Sequence, residues 1–473
     1  MRVEEAFKKN GYFWLPGNEG HKIPGVLSIM DGGKIELEII GDFSDDFQFF
    51  SEDNIPRIVG HIENDGLLTL DDCFYLNRNF AFGGISKSKI FAHKALIGAA
   101  WEKDEKVTFN TLCFEVDCLD EWVGITGIKV ERCHSEKTAS ITYNPPKVID
   151  IYLEVGMKLE ICFAYTLPSK SRLKEAKITQ RAYFKLSTTE LRDLNDFTVM
   201  AFKITSLLCF AMDEVISMKN LVALSGDIQR RGPGEKKYPA PIKIFYQSIS
   251  HSDKIPNRSF HDMLFTYSTI QENVPQVFNN WINAYESLSP AFSLYFSNKN
   301  GAHKYLDGKF LTLAQGLETY HRRTSNETLM AVEKFESLVS KVLDACPEEN
   351  LDWLKGRLTH GNEINLGKRL KRIIEPFKEK IGTSGERSKL LRKIVDTRNY
   401  LTHYSKDLES KAARSRELLI ICNKMEAIFN LHFLTVIGFD EVEINRVIEN
   451  CYPLKSKLRK VRISRSFLPK LTR

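Results

Sequence analysis

The apolar residues of this chain change their repeat once along its length, and that change constrains the fold more than any other feature. Residues 11–165 hold short runs of β-formers such as GVLSIMDGGKIELEIIGDF (25–43), RIVGHIENDGLLTLDDCFYL (57–76) and KVTFNTLCFEVDCL (106–119). Asp31-Gly32-Gly33 and Asn64-Asp65-Gly66 each divide two such runs, as hairpin turns do. TASITYNPP (138–146) and KLEICFAYTL (158–167) are further strand candidates. This pattern predicts a mostly antiparallel sheet, a sandwich or partial barrel. From about residue 306 the repeat becomes helical: Phe310, Leu313, Leu317 and Tyr320, then Leu329, Val332, Phe335, Leu338, Val339 and Val342. Further helical patterns cover 364–381, 386–404 and 406–436, enough for a small up-and-down bundle. Between the two regimes, 188–223 reads as helix, with Ser187, Thr188 or Thr189 as its N-cap. Residues 259–298 read as mostly helical, and their dense aromatics as core. The expected class is α+β and multidomain: a β-rich part over 1–187, a helical middle segment over 188–303, an all-α bundle over 304–454 and a basic tail over 455–473.

Composition narrows the function classes. With 42% hydrophobic and 27% charged residues, the chain is neither disordered nor collagen-like. Residues 351–473 carry 27 Lys+Arg against 14 Asp+Glu, whereas residues 1–350 carry 40 against 47. Positive charge gathered in the last quarter favours a polyanionic partner there. The Pro-, Gly- and Lys/Arg-rich stretch 229–241 reads as an exposed linker. The nine cysteines are odd in number, irregularly spaced and without a CxxC pair, which suits free thiols in a reducing cytoplasm. MRVEEAFKKN has no apolar signal core. FTVMAFKITSLLCFAM (197–212), interrupted by Lys203, reads as a buried helix too short to span a bilayer. The expectation is a soluble cytoplasmic protein that does not enter membranes.

The stretch with chemical content is KLLRKIVDTRNYLTHYSKD (389–407). One i,i+4 row runs Leu391, Val395, Asn399, His403, and its neighbour runs Ile394, Arg398, Thr402. Both rows begin apolar and end polar, so Arg398, Asn399 and His403 gather on one side of a helix. An inward arginine is costly unless it is paired or faces a groove, and such a groove suits a phosphate. This set fits RNA cleavage without a metal or cofactor. Imidazole can take the 2′-hydroxyl proton, and guanidinium can stabilise the charge gained by the phosphorane. The leaving 5′-oxygen also needs a proton, which one His403 cannot easily supply in the same step. Two chains about a dyad would bring two such motifs together, so a homodimer or higher homo-oligomer is expected. Metal sites look poor. Cys113, Cys118, Cys133 and His134 match no common zinc spacing and read rather as strand cysteines. No P-loop, GxGxxG, HExxH or GxSxG motif is present.

Arg398-Asn399-Tyr400-Leu401-Thr402-His403 resembles the R-x4-6-H motif of HEPN domains, in its short form. GLETYHRR (316–323) resembles the opening helix of Apea-like HEPN domains. GYFWLPG (11–17), IPGVLSI (23–29), GKIELEIIGDF (33–43) and GLLTLDDCF (66–74) resemble the N-terminal domain of ApeA-type proteins, which pair it with a HEPN domain in bacterial anti-phage abortive infection. The resemblance implies a metal-independent endoribonuclease over 304–454, with Arg398 and His403 catalytic and Asn399 assisting. It implies host RNA as substrate, tRNA among the candidates, and an N-terminal sensor that a phage-derived protein would trigger. Glu318 and His321 could support the site, or could equally be a capped or solvent-facing pair. Arg322, Arg323, Lys368, Arg369, Lys371 and Arg372 are candidate RNA-backbone contacts. The alternatives are a non-catalytic HEPN module for RNA binding or dimerisation, and a toxin held by a separate antitoxin.

Overall fold

The computed structural model describes the chain except residues 6, 44–53, 80–83, 169–173, 232–236, 300, 302 and 460–473. The expected basic tail over 455–473 therefore lies mostly outside the described residues. The chain divides into two units, Met1–Ile282 and Asn283–Arg473.

The first unit opens with a closed barrel. Strands β1 (Phe7–Trp14), β2 (Ile23–Ile29), β3 (Ile35–Ile40), β4 (Asn54–Ile62), β5 (Gly66–Asn79) and β6 (Lys87–Ile97) pair antiparallel in the ring β1-β2-β3-β6-β5-β4 and back to β1. Closure leaves no exposed strand edge. The expected turns close two of its hairpins. Gly32 and Gly33 turn the chain between β2 and β3 at φ 92° and 82°, while Asn64 and Gly66 turn it between β4 and β5 at 65° and 78°. Alternation sorts the faces: Ile35, Leu37 and Ile39 point into the barrel, whereas Glu38 and Ile40 face solvent. Phe13, Leu27, Ile58, Leu68 and Ile90 complete that core. Gly60 leaves space for Phe13, since a Cβ there would come within 2.7 Å of its ring.

Strand β6 outlasts the barrel. Its first half pairs with β3, and its last residues pair with β16 (Ile242–Tyr246). The sheet then continues through β13 (Met218–Leu224), β7 (Thr108–Val116), β12 (Thr179–Asp193), β11 (Met157–Thr166) and β10 (Ile149–Leu153). Strands β8 (Ile128–Cys133) and β9 (Thr138–Tyr143) form a hairpin of their own, as do β14 (Gln229–Arg231) and β15 (Lys237–Pro239). Helices α1 (Leu119–Val123), α2 (Leu194–Ala211), α3 (Tyr267–Ile270) and the start of α4 (Val274–Ser297) complete the unit. Trp281 of α4 stacks on Phe210 of α2 at 5.5 Å and donates its indole N–H to Ser206 Oγ.

The middle segment departs from expectation. Residues 188–303 are not helical throughout, because β12 runs on to Asp193 and β13 to β16 lie within them. Helix α2 starts at Leu194, capped by Asp193, whose carboxylate accepts from the Asn195 N–H at 2.8 Å. The expected caps Ser187, Thr188 and Thr189 lie inside the strand, where β-branched threonine is at home. Helix α2 and α12 (Ser415–Val436) are long and apolar enough to cross a membrane, but 67% of each apolar window is buried inside the protein. Burial, not shortness, marks α2 as a core helix.

The second unit is helical: the end of α4, then α5 (Leu306–Thr324), α6 (Val332–Asp344), α7 (Leu351–Leu358), α8 (Leu366–Ile374), α9 (Lys378–Ile381), α10 (Ser384–His403), α11 (Lys406–Glu409), α12, α13 (Glu441–Asn450) and α14 (Tyr452–Leu458). Its axis is α12, whose Met425, Phe429 and Phe433 are fully buried, as are Leu313 and Leu317 of α5 and Phe292 and Tyr295 of α4. A Cβ at Gly316 would meet the Phe429 ring at 2.8 Å, so the glycine allows α5 and α12 to approach closely. Most aromatics of 259–298 are core as expected, but Tyr285 and Phe296 are half-buried and Phe260 is exposed. Helix α6 is the exception among the apolar stripes. None of its residues is buried, and Val332, Leu338 and Val342 face solvent.

Candidate active site

Helix α10 is capped at its start and ends at His403. Thr383 and Glu386 form a capping box at its start. In its middle, buried Thr397 accepts the Ala413 N–H at 2.8 Å, which ties the chain leading into α12 to α10. His403 is the last helical residue, and Tyr404 turns the chain away in a left-handed conformation, φ 50°.

Arg398 is half-buried and faces a hollow of about 430 Å³. Leu311, Gln315, Glu318, Thr319 and Arg322 of α5 line its other side, and Thr402 lies beside Arg398 on α10. One Arg398 Nη1–H donates to Asn399 Oδ1 at 3.3 Å, so the amide steadies the guanidinium. His403 is exposed, one turn beyond Asn399 and outside the hollow. Glu318 lines the hollow and accepts from Arg322 at 3.1 Å. Arg322 is also paired with Glu363, so one cation bridges two carboxylates. The hollow thus offers a guanidinium, a carboxylate, hydroxyls and an amide in one cleft, with an imidazole close along the helix. Such a set can hold a phosphodiester and move a proton.

Residues 311–443, which contain every residue of this cleft, match the Apea-like HEPN family. Residues 8–281, more than half the chain, match the family described as ApeA N-terminal domain 1. The chain belongs to the ApeA family. Its two domains stand in the order of ApeA-type anti-phage proteins. No curated protein and no solved structure matches it.

The remaining residues singled out in this ApeA-type chain divide into structural and exposed groups. His321 is buried, and its Nδ1 accepts from Arg369 at 3.3 Å. Burial, then the Arg369 charge, pulls its pKa below the usual histidine value. It is therefore neither the solvent-facing residue nor a groove residue that the sequence allowed. Arg369 is also buried and bonds Glu363 at 3.3 Å, while Arg372 is held by Glu327 at 2.7 Å. Arg323, Lys368 and Lys371 are exposed, and among the described residues no carboxylate lies within ion-pair distance of them. The structure does not gather Cys113, Cys118, Cys133 and His134. Cys118 bonds the Pro256 carbonyl, Cys133 meets Ser135, and no metal-holding cluster occurs among the described residues. Gln315 and Thr319 are the site residues that sequence reasoning missed. Their signal was the polar i,i+4 row on α5 opposite the Tyr320 face.

His432 was missed as well. Its Nε2–H donates to the Ile373 carbonyl at 2.9 Å, and its ring packs on Tyr320 and Phe377. Burial lowers its pKa from 6.5 to about 4, the Ile373 bond working the other way. The unfolded chain therefore binds a proton that the folded one refuses. Stability from the neutral ring is complete above pH 6.5 and is lost as pH falls toward 4, on the order of 3 kcal/mol in all. Urea unfolding from pH 7 to 4.5 should show this fall in wild type and a shallower one in His432→Phe. Equal slopes in the two proteins would refute the assignment.

Proposed function

We propose that the protein is an endoribonuclease of HEPN type acting in anti-phage defence, in the cytoplasm, on host RNA with tRNA among its substrates. The observation that carries this reading is Arg398 facing an open cleft with His403 exposed at the end of the same helix, inside the HEPN-matched region. His403 would take the 2′-hydroxyl proton as that oxygen attacks phosphorus. Arg398 would bind the non-bridging oxygens as charge builds on them. The P–O5′ bond then breaks, leaving a 2′,3′-cyclic phosphate, and the leaving oxygen takes a proton from the second His403 of a dimer. No step calls for a metal. The N-terminal domain would restrain the nuclease until a phage-derived protein shifts the balance of inactive and active forms.

The test is purified protein with total bacterial RNA in EDTA, with and without lysate from phage-infected cells. Discrete fragments carrying cyclic phosphate are expected, more of them with the lysate. RNA bound but uncut under both conditions would replace this reading with that of a non-catalytic RNA-binding module.

A further inference from the structure

Beside the cleavage residues stands an aromatic pair that the chemistry above does not use. Tyr404, the residue after His403, is 66% exposed. Its backbone is left-handed at φ 50°, a conformation unfavourable for a bulky side chain, and its N–H is fixed to the Tyr400 carbonyl at 2.6 Å. The Tyr400 and Tyr404 rings meet edge to face with centroids 5.5 Å apart. The Arg414 guanidinium lies 5.8 Å from the centre of the Tyr400 ring, and Glu409 holds its other side at 2.8 Å. Arg414 also borders a polar hollow of about 490 Å³ that Lys393 and Lys406 line together with Glu409 and Glu417. Lys393 is paired with Glu417, whereas no carboxylate among the described residues lies within ion-pair distance of Lys406. A large ring is thus held out in water on a fixed backbone, one residue from His403, and packs against a second ring that has the Arg414 guanidinium as its other neighbour. An unpaired base can lay its face on such a ring while neighbouring cations meet its phosphates. A base inside a duplex cannot, since both its faces are covered.

We infer that Tyr404, backed by Tyr400, is a stacking platform for one unpaired base, with Lys406 and Arg414 taking the flanking phosphates, so that the RNA is engaged in single-stranded loops or ends. This rests on the ribonuclease reading and adds the substrate's form to it.

The test uses the full chain carrying His403→Ala, so that RNA survives the measurement. Fluorescence anisotropy with a labelled single-stranded oligoribonucleotide and with its blunt duplex gives the two affinities. Adding Tyr404→Ala or Tyr404→Leu should weaken single-strand binding about tenfold, the worth of one stacked base, whereas Tyr404→Phe should preserve it. Leucine keeps the bulk and lacks the π face, so equal losses in the two variants identify stacking. Unchanged melting temperatures confirm that the exposed ring does not hold the fold. Single-strand binding that Tyr404→Ala leaves intact, or a duplex bound as tightly as the single strand, overturns the inference. If wild type cuts nothing while the Tyr404-dependent binding persists, the nuclease reading falls and the platform stands. Absence of all RNA binding removes both.

Discussion

His403→Ala is expected to bind RNA normally yet cut it about 10²- to 10⁴-fold more slowly, whereas Arg398→Ala should lose both cutting and part of its affinity. The difference follows from where the two side chains sit. Arg398 faces the cleft, where the proposed mechanism has it meet the phosphate before and during reaction. His403 is exposed at the helix end and, in the proposed mechanism, contributes only when a proton moves. Arg398→Lys should rescue affinity better than rate, because an ammonium keeps the charge but loses the two-pronged grip on phosphate oxygens. The proposed dimer adds a sharper consequence. If both proton transfers need a histidine from each protomer, a mixed dimer with one His403→Ala chain is inactive. At equal expression, random pairing leaves about a quarter of the dimers intact, so His403→Ala should be dominant over wild type in phage-challenged cells. Cutting that falls only in proportion to the mutant fraction, to half, would mean that each chain works alone. Phage protection that His403→Ala gives as fully as wild type would remove cleavage from the mechanism.

The parts of this molecule legible in the sequence are those set by local pattern. Asp31-Gly32-Gly33 and Asn64-Asp65-Gly66 specify hairpin turns by backbone chemistry alone, and both are turns in the barrel. The polar ends of the two rows on α10 place Arg398 toward a cleft because helix geometry fixes which residues share a face. Ring closure of the barrel was beyond that pattern, since it depends on β6 pairing with both β3 and β5 while β1 pairs with β4. The start of α2 was misplaced because Ser187, Thr188 and Thr189 suit a cap and a strand equally, and the pairing of Ser187 with Thr111 and Lys158 and of Arg192 with Phe109 carries the strand on past them through a bulge. The α6 stripe has helical periodicity, and periodicity states only that a face is apolar, not that something covers it. His321 and Arg369 lie 48 residues apart, so neither spacing nor composition reveals that each buries the other.

Glu426 shows the same limit at its largest energetic scale, and replacing it by glutamine should destabilise the helical unit by about 3–5 kcal/mol. It lies in the apolar run MEAIFNLHF of α12, where a carboxylate is out of place unless it is paired. Its side chain is 4% exposed and receives Lys309 of α5 at 2.6 Å, Lys457 of α14 at 3.1 Å and Lys299 at 3.8 Å. Burial alone would push the Glu426 carboxyl up, but Lys299, Lys457 and Lys309 together outweigh it and hold it below the usual carboxylate range. A folded pKa below the unfolded value means that this contribution is complete above pH 4.5 and is lost as pH falls through the lower folded value. It is therefore separate from the His432 loss, which begins at pH 6.5. Glu426→Gln keeps the shape and leaves three ammonium groups converging on a neutral amide, the costly way to break a buried cluster. Adding Lys309→Met should return part of the loss by removing one stranded cation, a coupling that two independent surface substitutions would not show. Urea unfolding of the four proteins in that double-mutant cycle at pH 7 measures it. A Glu426→Gln loss under about 1 kcal/mol, or strict additivity with Lys309→Met, would mean that the lysines turn to water at little cost and that apolar packing alone holds α14 to α12.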